Sequence, residues 1–576
     1  INEGHAAFQI LERCREITNE NMDFAAALEQ VAAGTVYTTH TPVPAGHDIF
    51  SEDLMVEYFS SFCKRLNLEF DDFMNYGQSP IADNSFNMTA FALRGSRFHN
   101  GVSRIHGSVA SEMESYIWPQ IPVKENPITY VTNGVHAPTF LARDWLNLFD
   151  MRFREWRNKL LDYDYWNCID EIPDHRFWSL RQELKSQMLS ATCKRTLQRC
   201  KRNSSNETLT RRITKHMIEA ETDILVLGFA RRFATYKRAT LLFRDPERLA
   251  RLLNDPKRPV MLIFAGKAHP KDEPGQDLIR AIHEFANRPE FLGKIILLEG
   301  YNMAMARNLV AGVDVWVNTP EYPLEASGTS GQKAAINGAL NLSVLDGWWG
   351  EGFNGKNGWG ISPHGPETSP EVRDHEEASD LLDILEHEII PTFYNRGTKG
   401  YSKKWVRLSK ESMKSCIPQF NASRMVMDYV KNLYTPATIH YKKLKQDNSA
   451  PAKLLASWKA HIRSQWHNIS IERMDDEVRS INDGESLPVK VKASLNGLSP
   501  DDVAVECLVV SHHDDENMFE NPDFFRFEYE GMEDGKHVFS LDLQQLNSGI
   551  NYYRICIFPH HKLLAHPLET GFMVWL

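Results

Sequence analysis

The stretch Glu325-Ala-Ser-Gly-Thr-Ser-Gly-Gln-Lys333 follows an apolar, strand-like run and opens a helix. Ile295 to Leu298 and Val313 to Val317 read as buried parallel strands, and Ala334 to Leu340 has helical composition, so the small-residue loop sits at a strand-to-helix turn. Such a turn presents backbone N–H groups at the carboxyl edge of a sheet, where open α/β sheets bind ligands and phosphates find donors. Gly328 and Gly331 permit close backbone approach, and Thr329 and Ser330 add hydroxyl donors. A turn of Ser, Thr and Gly alone reads as an ordinary capped helix start. Lys333 changes that reading. A lysine just inside the helix, with Glu325 on the other side of the loop, suits covalent capture of an aldehyde cofactor better than display to solvent. A nucleotide P-loop fails on spacing, because Gly328 and Gly331 are too close and Ala334 stands where Ser or Thr is required.

Outward from this loop, an α/β domain begins at Thr222-Asp-Ile-Leu-Val-Leu-Gly-Phe229, a fully buried strand by composition. Arg231-Arg-Phe-Ala-Thr-Tyr-Lys-Arg238 follows it, a basic turn that would ordinarily be a solvated face but here lies just past the carboxyl end of a strand. Val260 to Ala265 is a further strand, leading through Gly266 to a helix near Gly275 to Phe285. Gly350-Glu-Gly-Phe-Asn-Gly355 satisfies a dinucleotide fingerprint on paper, yet Lys356-Asn-Gly-Trp-Gly360 opens no helix, so it is expected to be a glycine-rich lid or loop. Upstream, helix-like segments (Phe8 to Ile17, Met22 to Val31) alternate with short strands (Gly34 to Thr38, Ile128 to Thr132), the pattern of an α/β domain. Asn87-Met-Thr-Ala-Phe-Ala-Leu-Arg94 and Asn100-Gly-Val-Ser-Arg-Ile-His106 read as a packed strand followed by a helix. Leu141 to Glu219 is helix-like and rich in Trp, Arg and Leu, as are Ala378 to Ile390 and Met425 to Leu433 in helical periodicity. From about Leu454, alternating runs such as Val489 to Leu495, Val503 to Val509 and Tyr552 to Phe558 predict a small antiparallel β-sandwich with one face of each sheet wet.

At 576 residues the chain should hold two or three domains, at roughly 150 residues each. Its 42% apolar content allows a sizeable core, and no apolar run approaches the ~20 residues of a membrane span. Ile1 to Asn19 is too charged for a signal peptide, so a soluble, cytoplasmic protein is expected. A net charge of −11 argues against nucleic acid. The eight cysteines are scattered without a C-x-x-C pair, which fits reduced thiols. His40 and His47, or His99 and His106, suggest metal pairs, but no carboxylate or cysteine completes a set and no metal is expected.

Glu325 to Lys333, continuing through Asn337-Gly-Ala-Leu-Asn-Leu-Ser-Val-Leu-Asp-Gly347, resembles the α-glucan (glycogen or starch) phosphorylase family, and Asp346-Gly-Trp-Trp-Gly-Glu-Gly-Phe-Asn-Gly355 resembles its short bacterial and archaeal branch. The resemblance implies two Rossmann-like lobes of the GT-B glycosyltransferase type, the first incomplete, plus a C-terminal β-sandwich-like domain. The expected segments are 1–139 (glucan-side lobe), 140–219 (helical connection), 220–450 (lobe with the cofactor site) and 451–576 (accessory domain). It implies that Lys333 holds pyridoxal phosphate as a Schiff base, with Thr329, Ser330, Gly331, Arg231 and Tyr301 around the cofactor. Arg232 and Lys237 would hold the substrate phosphate. Asn133, Glu325, Ser327, Gly328 and Tyr236 would lie on the terminal glucose, with His40 beside the cleaved bond. Asn302 departs from the arginine of the muscle-type enzymes. Asn2-Glu-Gly-His5 resembles text midway through the family's first domain, so a fragment is expected. The implied reaction is reversible phosphorolysis of α-1,4-glucan (glycogen, starch, maltodextrin) by inorganic phosphate, giving α-glucose 1-phosphate with retention. A nucleotide-sugar glucan synthase and an inactive glucan-binding protein are the alternatives. Oligomeric state stays open, with a homo-oligomer allowed.

Overall fold

In the computed structural model six buried stretches form a parallel sheet: β1 (Leu225–Ala230), β2 (Val260–Ala265), β3 (Ile295–Leu298), β4 (Val315–Asn318), β5 (Leu340–Val344) and β6 (Gly358–Ile361). Their order is β3-β2-β1-β4-β5-β6, a doubly wound sheet whose connection reverses between β1 and β4. Both faces are covered, which explains why the strands read as unbroken apolar runs. Leu225, Leu227 and Phe229 enter one core with Val260, Leu262 and Phe264. Val226 and Ala230 enter the opposite core with Met261, Ile263 and Ala265.

The structure describes residues 1–18, 22–81, 83–218, 222–475, 481–482, 485–511, 522–544 and 549–576. They form two compact units. One holds Gly101–Gly107 and Tyr130–Tyr429, including the six-stranded sheet; the other holds Ile1–Asn100, Ser108–Thr129 and Val430–Leu576. The second unit contains a small sheet in which Val36–Thr38 and Phe98–Gly101 pair in parallel, with Ile128–Tyr130 beyond. It also contains two four-stranded sheets. One is β7-β8-β12-β11 (Ser470–Arg473, Leu487–Ser494, Lys536–Leu543, Glu528–Glu533), and the other β10-β9-β13-β14 (Asp523–Arg526, Val503–Ser511, Asn551–Pro559, Val574–Trp575). Val489, Val491 and Phe539 from one meet Val505, Cys507, Ile555 and Ile557 from the other in a single core, so the expected sandwich is present.

Four expectations need correction. The helix after Glu325 runs Thr329–Ala335, and Leu340 already begins β5, because Gly328 takes a left-handed φ of 89° that lets the helix start inside the small-residue loop. Residues 349–352 of the expected lid or loop are one helical turn with Trp349 and Gly352 buried, while 353–357 beyond it are a loop as expected. Met88–Arg94 is a helix, capped by Asn87 Oδ1, which accepts from the N–H groups of Thr89 and Ala90. The sandwich starts at Ser470, since Leu455, Trp458 and Ile462 still follow helical spacing within Gln446–Gln465. The expected boundary at 219–220 lies outside the described residues.

One long helix, α1 (Asp174–Arg202), anchors the sheet through buried charge. Arg181 donates to the carbonyls of Ala311, Val313 and Asn337. Lys185 Nζ lies 2.7 Å from Asp314 and donates to the carbonyls of Thr222 and Ile224 at 3.0 Å each. Asp314 in turn accepts the N–H of Val226 at 2.9 Å, so one ion pair ties α1 to β1 and to the entry of β4. Lys185→Met should lower the unfolding free energy by about 3–5 kcal/mol, seen as a fall in the urea midpoint, because it strands a buried carboxylate.

Candidate active site

Arg231 directly follows β1 and Asn318 ends β4, so the two meet at the switch point of the sheet. Arg231 Nη1 donates to Asn318 Oδ1 and, at 2.7 Å, to Glu325 Oε2. Lys237 Nζ donates to both oxygens of the same carboxylate at 2.7 Å. Burial alone would raise the Glu325 carboxyl; Arg231 and Lys237 more than offset that and bring it down to about 2. Burial, with Arg231 adjacent, pulls the Lys237 ammonium down to about 8, and Glu325 opposes the fall. Its Nζ also lies 4.5 Å from the centre of the Tyr236 ring. Arg232 is exposed, and its guanidinium reaches the Tyr236 hydroxyl. Arg238, the fourth cation of this turn, is spent elsewhere: it donates to the carbonyls of Thr319 and Pro320 and pairs with Asp374 and Glu377. Arg231, Arg232 and Lys237 against one Glu325 leave two positive charges in excess here.

The loop beside these cations is tightly packed. A Cβ on Gly331 would meet Asn341 Oδ1 at 2.6 Å and the Trp348 ring nitrogen at 2.9 Å, and the Gly331 N–H already donates to Gly328 O at 3.1 Å. Gly331 therefore serves packing. Ser330 Oγ is 3.4 Å from Arg231 Nη2 and 3.3 Å from the Trp316 ring N–H. The Ser327 hydroxyl and Gln332 Oε1 are buried without a partner among the described residues. Gln332 Nε2 donates to Asn133 O at 2.8 Å, which brings the Asn133 turn to the loop. Lys333 is half-buried in the last turn of the short helix, its Nζ 4.4 Å from the centre of the Phe140 ring. Among the described residues no carboxylate pairs with it, and burial lowers its pKa.

Tyr301, half-buried past β3, feels the Arg231 charge, while burial raises its hydroxyl pKa. Asn302 accepts the Met305 N–H at 3.0 Å and so caps the next helix. His40 belongs to the other unit. There its N–H donates to Glu3 Oε2 at 2.7 Å and its Nε2 lies 2.5 Å from Asn2 Oδ1. Three residues of the site escaped the sequence reading: Asn318, Gln332 and Asp346. Asp346 stands under the loop, accepting the N–H groups of Glu325 at 2.8 Å and Gly347 at 2.7 Å. An Asn ending one strand and an Asp-Gly pair ending the next were the available signals.

A parallel sheet that gathers excess cations at its switch point, beside a half-buried lysine and a hydroxyl and an amide oxygen without partners among the described residues, defines an α/β protein with a crevice suited to an anionic, hydroxyl-rich ligand. Residues 1–349 match the family model for carbohydrate phosphorylase, and 466–576 match that for the glycogen phosphorylase C-terminal domain. The chain belongs to the carbohydrate phosphorylase family. It is 38% identical to a maltodextrin phosphorylase of Thermococcus litoralis, covering all of this chain and 67% of the relative. Identity to a glycogen phosphorylase of Mycobacterium tuberculosis is 36%, over 99% of this chain and 66% of the relative. With a glycogen phosphorylase of Aquifex aeolicus it is 37%, over 76% and 62%. The chain thus spans about two thirds of the length of the curated relatives it matches. Among the described residues no group of three or more His, Cys, Asp or Glu is placed to hold a metal, and no helix is long and apolar enough to cross a membrane.

Burial, reinforced by the Glu325 charge, pushes the Asp346 carboxyl up to about 7 from an ordinary 3.8, while its two backbone donors pull the other way. Between those values the folded state holds a proton that the unfolded chain has lost, so this group's contribution to stability falls as pH rises. Asn in its place can accept only one of the two N–H bonds well, a loss of about 1 kcal/mol that does not depend on pH. Asp346→Asn should therefore be the less stable form only below about pH 4 and the more stable one by about pH 8, read from urea midpoints across pH.

Proposed function

We propose that the protein catalyses reversible phosphorolysis of α-1,4-glucan, transferring the terminal glucosyl unit to inorganic phosphate to give α-glucose 1-phosphate with retention. The observation that carries this reading is the excess of cations at the switch point beside a half-buried lysine free of any carboxylate among the described residues. Two relatives' names, maltodextrin phosphorylase and glycogen phosphorylase, support glucan as the substrate class.

The residues present fit pyridoxal phosphate. Lys333 lies over Phe140, and burial lowers its pKa, the direction an aldehyde-capturing lysine requires. Thr329, Ser330 and Arg231 would hold the cofactor's phosphate, Tyr301 would flank it, and Gly331 would let the helix carrying the hydroxyls pack close. When bound, the cofactor supplies a second phosphate group able to pass a proton at the substrate phosphate.

Two phosphate groups in one cleft are the main electrostatic difficulty. Unit charges 4 Å apart repel by about 4 kcal/mol at an effective dielectric of 20, and dianions by roughly four times as much. Arg231, Arg232 and Lys237 answer that repulsion, held in place before the ligand arrives. The seven-residue helix after Gly328 is too short for its dipole to carry the load, so side-chain cations do. Lys237 gains a second anionic partner and is held protonated above its present value of about 8. Glu325 then shares its cations with phosphate and can accept a sugar hydroxyl, with Ser327 Oγ, Asn133, Gly328 and Tyr236 on the same glucose. In this reading 1–139 carries glucan contacts, 140–219 connects, 220–450 carries cofactor and phosphate, and 451–576 is accessory.

The full-length protein should release glucose 1-phosphate from maltodextrin only with phosphate and should carry cofactor absorbance that Lys333→Ala removes. Arg232→Ala should raise the KM for phosphate about tenfold or more while changing the KM for glucan little. Turnover of a nucleotide sugar without phosphate, or activity in a colourless protein, would overturn the reading.

A further inference from the structure

The helix Met88–Arg94 has no part in phosphorolysis as derived above, yet its last residue lines a cavity of about 250 Å³. The whole lining belongs to the unit that holds Ile1–Asn100 and Val430–Leu576. At about 30 Å³ per water the space equals roughly eight waters, the size of a small metabolite. One wall is apolar, formed by Leu28, Trp118, Ile462 and Phe572. The other carries six charged side chains that are not balanced.

Four of the six close on themselves. Arg97 lies 2.9 Å from Glu29 and 3.4 Å from Glu569, and Lys459 lies 2.7 and 2.6 Å from the same two carboxylates. Two cations and two anions make a neutral quartet. Arg94 and Arg463 are left over. Arg94 Nη1 is fixed by the carbonyls of Tyr76 and Gln78, at 2.9 and 2.7 Å, so the guanidinium is oriented before any ligand arrives. No carboxylate of the described residues offsets its charge; burial and the neighbouring Arg463 both disfavour its protonated form, and the Tyr116 hydroxyl favours it. One guanidinium fixed by carbonyls and a second, on the exposed Arg463, line one cavity and repel each other, and a ligand of two negative charges with oxygen acceptors matches the pair.

We propose that this cavity binds a small dianionic phosphomonoester with an apolar or ring-shaped body, its phosphate held by Arg94 and Arg463 and its body laid on Trp118 and Phe572. A phosphomonoester carries close to two charges at neutral pH, matching two arginines that have no carboxylate partner among the described residues. The site rests on none of the residues assigned to phosphorolysis and stands or falls separately.

Phenyl phosphate titrated calorimetrically into the full chain tests it. Binding should weaken about tenfold or more in Arg94→Gln and in Arg463→Gln and persist in Arg232→Ala. Arg463 is exposed, so its replacement leaves the fold intact even if the Arg94 variant does not fold. No heat of binding at ~10 mM ligand, affinity unchanged in Arg463→Gln, loss of binding in Arg232→Ala, or equal affinity for benzoate would each overturn the proposal.

Discussion

Glu325 sits between two cations in a place water cannot reach, and most of the site follows from that imbalance. One buried carboxylate satisfies Arg231 and Lys237 together, at 2.7 Å to each. An isolated cation would be costly to bury, and a second carboxylate would leave no affinity for an anion. With a single shared anion the cations stay folded into the protein yet remain underneutralised. The value of about 8 for Lys237 expresses the same tension: its ammonium is stable at neutral pH, but only just. Because the imbalance lies at the switch point between β1 and β4, it sits beside the crevice that this sheet order opens.

The small residues of the loop make this arrangement possible through packing more than through ligand approach. A Cβ on Gly347 would meet Ser327 O at 2.6 Å and Glu325 O at 2.8 Å, so the Asp346-Gly347 turn and the Glu325 loop lie backbone against backbone. Asp346 stitches them, accepting the Glu325 N–H. Gly331 presses the short helix onto Asn341 of β5 and Trp348. The loop is thus held by the neighbouring strand, and Glu325 is aimed by contacts that no ligand supplies.

Much of this was legible in the sequence because the signals were local. The strands β1, β2 and β3 appear as short apolar runs, and a sheet covered on both faces demands that composition. The basic turn and the lysine loop could each be placed past a strand end. What stayed hidden was long-range. Nothing in Arg231 to Arg238 says that Lys237 turns in to Glu325 while Arg238, at a left-handed φ of 45°, turns away to Asp374 and Glu377. The onset of the helix at Thr329 depends on the φ of Gly328, which composition does not report. The helix running to Gln465 was missed because Leu455, Trp458 and Ile462 border alternating β segments, and the period changes within a few residues.

Charge clusters among the described residues show how paired charge differs from charge left in excess. Arg97, Lys459, Glu29 and Glu569 are nearly as buried as the Glu325 cluster, but each charge there has its opposite, and a neutral quartet attracts nothing. Lys185 with Asp314 is the same kind of object, with the remaining donor capacity of the ammonium spent on backbone carbonyls. Around Glu325 the count does not close, and the Ser327 hydroxyl and Gln332 Oε1 nearby have no partner among the described residues. Desolvating a surplus cation costs several kcal/mol that folding alone does not return. A surplus held by carbonyls or by a shared carboxylate is therefore charge that a bound anion would neutralise, and the sum of formal charges within a cavity separates the two cases where burial alone does not.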